Sequence, residues 1–315
     1  MPPSNLILLG SFLKNMRDIK NLRGHYNDER VFIIGNGPSL NKTPLEKLKS
    51  EYTIGLNSIG WIYSETDWRP TIYCNGKRYP RAHWPNGDYS IISKNIKLAD
   101  FCFFDPNWRG ILGEQKNVFY LDKWKLQTGP FHKYNIKKIK SISNRQLYNF
   151  WSDDISDLIY HYHTMYEAVQ IAVYLGFDAI YFIGCDLGLE YLSPHLIFES
   201  GLDPFHFDGS KYDYLKTAIR ERSLGRSLIN GIALNLIRRI SNNKMINYFN
   251  TDTSDHFIPD YLTVDIADGP QTERELIKSH IVSKRVCENK GINIYNATIG
   301  GELEVYDRVD LNELI

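Results

Sequence analysis

The chain has 315 residues, 43% of them hydrophobic, and its 37 basic side chains balance 37 acidic ones, so the formal net charge is zero. That length makes one large domain or two small ones, and that apolar content supplies a sizeable core. A neutral chain has no electrostatic case for nucleic acid as its main partner, and no run of about 18 apolar residues is present to span a bilayer.

Residues 1–28 read as a leader, one helix ending in the polar run 25–30. Its apolar start (NLILLGSF, 5–12) is too short for a membrane span and lacks the charged region and cleavage site of a signal peptide. It packs on the domain or makes a peripheral membrane contact. Residues 31–34 (VFII) have strand length and β-branched character, and Gly35-Asn36-Gly37-Pro38-Ser39 then breaks the strand. A helix is expected over 40–49, with Leu45 and Leu48 on one face and Ser39 as a candidate N-cap. Strand, glycine turn and helix start together point backbone N–H groups into one concavity, where the helix dipole favours an anion. The spacing matches neither the dinucleotide fingerprint, whose third glycine position holds Leu40, nor a P-loop, because no Gly-Lys-Ser/Thr follows.

Two more strands, 52–56 (YTIGL) and 70–74 (PTIYC), end in Asn57-Ser58 and Asn75-Gly76. Three successive strands therefore end in GNG, LNS and CNG. In open α/β sheets ligands bind outside the carboxyl ends of the strands, so Asn36, Asn57 and Asn75 are candidates to ring one ligand. Asparagine is also common in turns, which is the competing reading. Further apolar runs fall at 100–105 and 118–121. The basic and aromatic segment 122–154 (Lys123, Trp124, Lys125, Lys133, Lys137, Lys138 and Lys140 among it) reads as a lid, as an acceptor-facing loop or as a solvated face.

The clearest helix is 163–175 (HTMYEAVQIAVYL), with Ala168, Ile171, Ala172 and Leu175 at helical spacing and Gly176 as its C-cap. The strand 179–183 follows and ends in Gly184-Cys185-Asp186. Asp186 is a ribose or metal ligand, or a turn-forming aspartate. Residues 187–244 read as an inserted helical and loop lid. After it come a strand near 245–249, a polar loop 252–261 centred on His256, a helix over 272–289, a stop at Gly291 and a last strand at 292–295. The four cysteines form no C-x-x-C pair, so a zinc site is not expected. Cys102 and Cys185, in apolar runs, read as buried free thiols of a reducing compartment. Strands alternating with helices predict an α/β fold: a Rossmann-like, mostly parallel sheet with helices on both faces. Residues 29–186 and 245–315 would form that domain.

Three stretches in order carry a family resemblance: GNGPSL, then HTMYEAVQIAVYLGFDAIYFIGCDLG (163–188), then DHFIPDY followed by a helix and GINIYNATIGGELEVYDRVDL (291–311). They resemble the small bacterial sialyltransferases of glycosyltransferase family 42 and the related group once called domain of unknown function 115. That group includes Maf-type flagellin glycosyltransferases and archaeal 6-hydroxymethyldihydropterin pyrophosphokinases. The resemblance implies a cytoplasmic enzyme, working free or at the inner face of the membrane, as a monomer or a homo-oligomer. Its expected partners are a CMP-linked sugar donor and a glycan or protein acceptor, with no cofactor or metal. It implies donor-binding roles for Gly35, Asn36, Gly37, Asn57, Asn75, His163, Thr164, Gly184 and Asp186, and makes His256 the general base. The tyrosine that steadies the leaving phosphate in those enzymes is replaced here by Gly188. Tyr261 is the candidate substitute, with Tyr191 and Tyr212 as alternatives. The pyrophosphokinase branch implies instead ATP and magnesium held by Asp186 and Asp255, and a non-catalytic nucleotide-binding protein is the third reading.

Overall fold

The computed structural model describes residues 18–77, 89–126, 130–187, 273–301 and 303–315. Its centre is β1 (Arg30–Ile34), whose residues 31–34 are fully buried. The main sheet continues through β2 (Tyr52–Leu56), β3 (Ile72–Cys74), β4 (Phe101–Phe104) and β5 (Val118–Tyr120). A separate two-stranded sheet holds β6 (Lys123–Lys125) and β7 (Ile159–His161). The chain then returns to the main sheet as β8 (Ala179–Ile183), β9 (Asn293–Asn296) and β10 (Asp307–Arg308). The eight strands lie in the order β10-β9-β8-β1-β2-β3-β4-β5, and every pairing between them is parallel. Near-continuous apolar runs suit this arrangement, because a parallel sheet is covered on both faces.

The period-two alternation of β1 shows how the two faces are divided. Val31 and Ile33 enter one core with Ile54, Cys74 and Phe103. Phe32 and Ile34 enter the other with Tyr73, Cys102 and Phe104. The second face is covered by α1 (Ser90–Leu98), through Ile92 and Ile96, and by short 3-10 helices. The first is covered by α3 (Thr164–Leu175), through Ala168, Ile171, Ala172 and Leu175, and by α4 (Glu273–Asn289), through Ile281, Val282 and Val286. Gly176 caps α3 in the left-handed conformation, φ 99°. The strand order reverses at β1: β2 lies on one side of it and β8 on the other. The expected α/β architecture is present, and the reversal defines where a ligand crevice belongs in such a sheet.

Three local expectations are corrected. Residues 40–49 are not one helix but two 3-10 helices, Pro38–Lys42 and Leu45–Leu48. Pro44 lacks the N–H a continuous helix needs and pushes Thr43 out of the helical region, to ψ 127°. Leu45 and Leu48 are still buried together. Ser39 is not the N-cap: Gly37 holds that position with Pro38 after it, and the Ser39 hydroxyl is used elsewhere. The described residues of 122–154 form a packed layer, in which α2 (Ile136–Ser141) and its neighbours bury Phe131, Ile139, Ile142, Leu147, Phe150 and Trp151. Lys133, Lys137, Lys138 and Lys140 do face solvent, whereas Lys123 turns inward. Within the leader, residues 18–28 carry only the 3-10 helix Ile19–Leu22, with Leu22 and Tyr26 buried against the core. All four cysteines are buried and free. No helix among the described residues is long and apolar enough to cross a membrane. Of the remaining expectations, the strand at 245–249, the inserted lid 187–244 beyond its first residue and the His256 loop lie outside the described residues.

The core between α3 and α4 holds two histidines, His163 and His280, with ring centroids 4.9 Å apart. His280 Nδ1 meets the Tyr306 hydroxyl at 2.9 Å, and burial pushes its pKa down to about 3. Burial, then the neighbouring His280, also holds His163 well below its ordinary value. An unfolded histidine takes a proton near pH ~6.5, while these stay neutral in the fold to much lower pH. Stability should therefore fall as pH drops below about 6.5, by up to about 1.4 kcal/mol per pH unit for each excluded proton. Thermal melts between pH 7.5 and 4.5 check this, with His280→Leu flattening the slope; parallel curves for the two proteins would contradict it.

Candidate functional site at the strand reversal

Past the ends of β1 and β8 the two chains stay paired: Gly35 N–H donates to Ile183 O and Gly37 N–H to Gly184 O, each at 2.8 Å. The approach is so close that a Cβ on Gly35 would lie 2.3 Å from Gly184 O. A Cβ on Gly37 would lie 1.8 Å from Asp186 Oδ2. The glycines of the turn therefore serve the protein's own strand junction, a use the sequence did not reveal. Asp186 is 6% exposed and accepts from the Ser39 backbone N–H through Oδ1, at 3.2 Å. Its Oδ2 accepts from the Ser39 hydroxyl at 2.8 Å. Burial raises the Asp186 pKa, and the two bonds from Ser39 work against that rise. Gly35, Gly37, Gly184 and Asp186 are thus brought together at one junction.

The asparagine-tipped strands converge beside this junction. Asn36 donates its side-chain amide to Leu56 O, tying the end of β1 to β2, at 3.0 Å. Asn57 sits in the left-handed region, φ 46°, which asparagine tolerates better than most residues. Its Oδ1 accepts from Gly76 N–H at 3.1 Å, and its Nδ2 donates to Thr164 Oγ1 at 3.0 Å. A Cβ on Gly76 would lie 2.1 Å from that same Thr164 oxygen. Asn75 is 1% exposed. Its Oδ1 accepts from Lys77 N–H at 2.9 Å, while its Nδ2 has no hydrogen-bond partner among the described residues. Thr164 joins the asparagines, whereas the ring of His163 turns to α4, its Nε2 at 2.7 Å from the Ser279 hydroxyl. His256, Tyr191, Tyr212 and Tyr261 lie outside the described residues, as does Gly188.

Sequence reasoning missed a buried charged cluster below the Asn75-Gly76 turn. Lys123 Nζ donates to Glu167 Oε2 at 2.8 Å, and the two side chains are 4% and 1% exposed. His161 Nδ1 engages the other oxygen of Glu167. Burial alone would raise the Glu167 pKa, but the Lys123 ammonium and His161 outweigh it and hold the carboxylate below its usual range. The Cys74 thiol is pushed well up, by burial first and by Glu167 second. One signal for this cluster was in the sequence: Glu167 stands one turn before Ile171, on the apolar stripe of α3. A charged residue there needs a buried partner. Among the described residues no group of three or more His, Cys, Asp or Glu is placed to hold a metal ion.

No family model matches the chain. Over 80 residues it is 32% identical to the F-actin-capping protein subunit alpha-3 of Mus musculus, and 31% identical to that of Macaca fascicularis. Each match covers 24% of this chain and 26% of the relative, so the chain spans about a quarter of the length of the curated relatives it matches. Among solved structures it is similar to the Maf glycosyltransferase of Magnetospirillum magneticum, at 13% identity and a TM-score of 0.44, over 96% of this chain and 39% of that one. It is also similar to the sialyltransferase CstII of Campylobacter jejuni, solved with a substrate analogue, cytidine-5'-monophosphate. There the identity is 14% and the TM-score 0.29, over 50% of this chain and 61% of that one.

The strand junction makes a specific demand. Gly37→Ala should destabilise the fold by about 1–3 kcal/mol, because the methyl group meets the Asp186 carboxylate and the Gly184 carbonyl. Gly110→Ala, where no atom lies within 4 Å of the added Cβ, should change stability by less than about 0.5 kcal/mol. Equal melting temperatures for the two variants would contradict the close junction.

Proposed function

We propose that the protein is a glycosyltransferase whose strand-reversal site takes the nucleotide of a CMP-activated sugar, a sialic-acid-like nonulosonic acid. The observation that carries the reading is the Asn75 amide, a buried donor at the end of β3 with no acceptor among the described residues. Buried donors in native proteins are nearly always paired, so such a group calls for a ligand acceptor. Asn75 directly precedes Gly76, whose N–H is bound by Asn57 Oδ1, at the place in an open parallel sheet where ligands bind. The resemblance of GNGPSL, the 163–188 run and DHFIPDY to the sialyltransferases supplies the donor class.

Sugar transfer requires donors aimed at the charge that develops on the departing phosphate, and a base for the acceptor hydroxyl. On this reading the asparagine rim orients the nucleotide. Asp186, with both oxygens engaged by Ser39, shapes the turn beneath it. His256, flanked by Asp255 and Asp260, takes the proton of the acceptor hydroxyl as that oxygen attacks the anomeric carbon and the phosphate departs.

Two measurements test this. CMP and CDP should each raise the melting temperature without magnesium, more than ATP does. At about 100 times Kd the linked stabilisation is about 2.7 kcal/mol. Stabilisation by ATP only with magnesium would overturn the sugar-donor reading in favour of diphosphate transfer. His256→Ala should cut turnover by ~10²–10⁴-fold while leaving CMP affinity nearly unchanged, because a base acts on the acceptor side. Loss of affinity along with rate would place His256 on the donor phosphate instead.

A further inference from the structure

We infer that Lys123, clamped by Glu167, is a positioning residue that sets the ligand-facing rim formed by Asn57, Gly76 and Thr164; the ligand in question rests on the nucleotide reading above. Lys123 Nζ has three N–H bonds and three acceptors: Glu167 Oε2 at 2.8 Å, Gly76 O at 3.3 Å and Asn75 O at 3.4 Å. Two of the three are backbone carbonyls of the turn that ends β3. The amide of that turn, Gly76 N–H, is bound by Asn57 Oδ1, and Asn57 Nδ2 is bound to Thr164 Oγ1. Thr164 lies three residues before Glu167 on α3, so the chain of contacts closes on itself: Lys123, Gly76, Asn57, Thr164, Glu167 and back to Lys123.

The closed ring connects β2, β3, β6 and the first turn of α3, none of which is adjacent to all the others in sequence. His161, from β7, occupies the second oxygen of Glu167 and keeps the carboxylate from rotating away. The position of Glu167 in the first turn of α3 favours its charged form through the helix dipole. A buried ion pair is not by itself a source of stability, and apolar side chains of the same volume often fill such a space as well. Apolar side chains would not hold two carbonyl oxygens. The geometric work of the pair therefore lies in the turn it grips, and that turn carries the Asn75 amide, which has no partner among the described residues.

The test uses the full chain labelled with ¹⁵N and two variants, Lys123→Met and the double variant Lys123→Met/Glu167→Leu. The double variant removes the grip without stranding a buried carboxylate. Amide exchange is followed at Gly76 and, as reference, at Phe32 in β1, and CMP binding is measured by calorimetry. Gly76 exchange should rise about tenfold with Phe32 unchanged, and CMP affinity should fall about tenfold, the equivalent of one lost charged hydrogen bond. Gly76 exchange unchanged in the double variant would overturn the inference. So would equal acceleration at Gly76 and Phe32, which marks a general loss of stability, and so would an unchanged CMP affinity with a loosened rim. If both variants fail to fold, the pair is a folding requirement and the inference also falls. If wild-type protein does not bind CMP, the nucleotide reading fails separately, and the Gly76 exchange alone decides the role of Lys123.

Discussion

The structure depends on how closely the chain leaving β1 passes the chain leaving β8. Their backbones remain hydrogen-bonded past the sheet, through Gly35 and Gly37, at a separation that excludes a side-chain carbon at either position. Asp186 then reaches under the turn and takes both the backbone and hydroxyl donors of Ser39. This contact fixes the point where the strand order reverses. Everything at the carboxyl rim, from Asn36 on Leu56 to Asn57 on Thr164, is built outward from it.

A second constraint acts on the other side of the rim. The ends of β2 and β3 hold each other through Asn57 and Gly76, and the turn at Gly76 packs directly on Thr164 at the start of α3. Below them Lys123 and Glu167 neutralise each other away from solvent. The two halves of the rim thus use different physics: a steric junction of glycines on one side, and a polar and ionic ring on the other. Between them lies the one asparagine of the three, Asn75, whose side-chain nitrogen finds no acceptor among the described residues.

Much of the scaffold was legible in the sequence because its signals are local. The β-branched runs of β1, β2 and β8 and the 3.6-residue stripe of α3 need no tertiary information, and Gly176 and Gly291 ended their helices as glycines commonly do. The helix expected over 40–49 failed because Pro44 outweighs the apolar spacing around it. The candidate site was only partly legible. The asparagines stand at strand ends in the sequence, but that Gly35 and Gly37 face a neighbouring strand, and not open space, depends on which strand becomes the neighbour. Lys123 was hidden for the same reason. Its surroundings, rich in exposed lysines, give no sign that β6 turns it towards Glu167, 44 residues further on.

The central claim is that the strand-reversal rim is a nucleotide site. An NMR titration of the ¹⁵N-labelled protein with CMP tests it most directly. The account predicts that the amide signals that move most belong to residues 35–39, 57, 75–76 and 184–186, together with the side-chain NH₂ of Asn75. Shifts confined to other parts of the surface, with the Asn75 side-chain signal unmoved at saturating CMP, would contradict it.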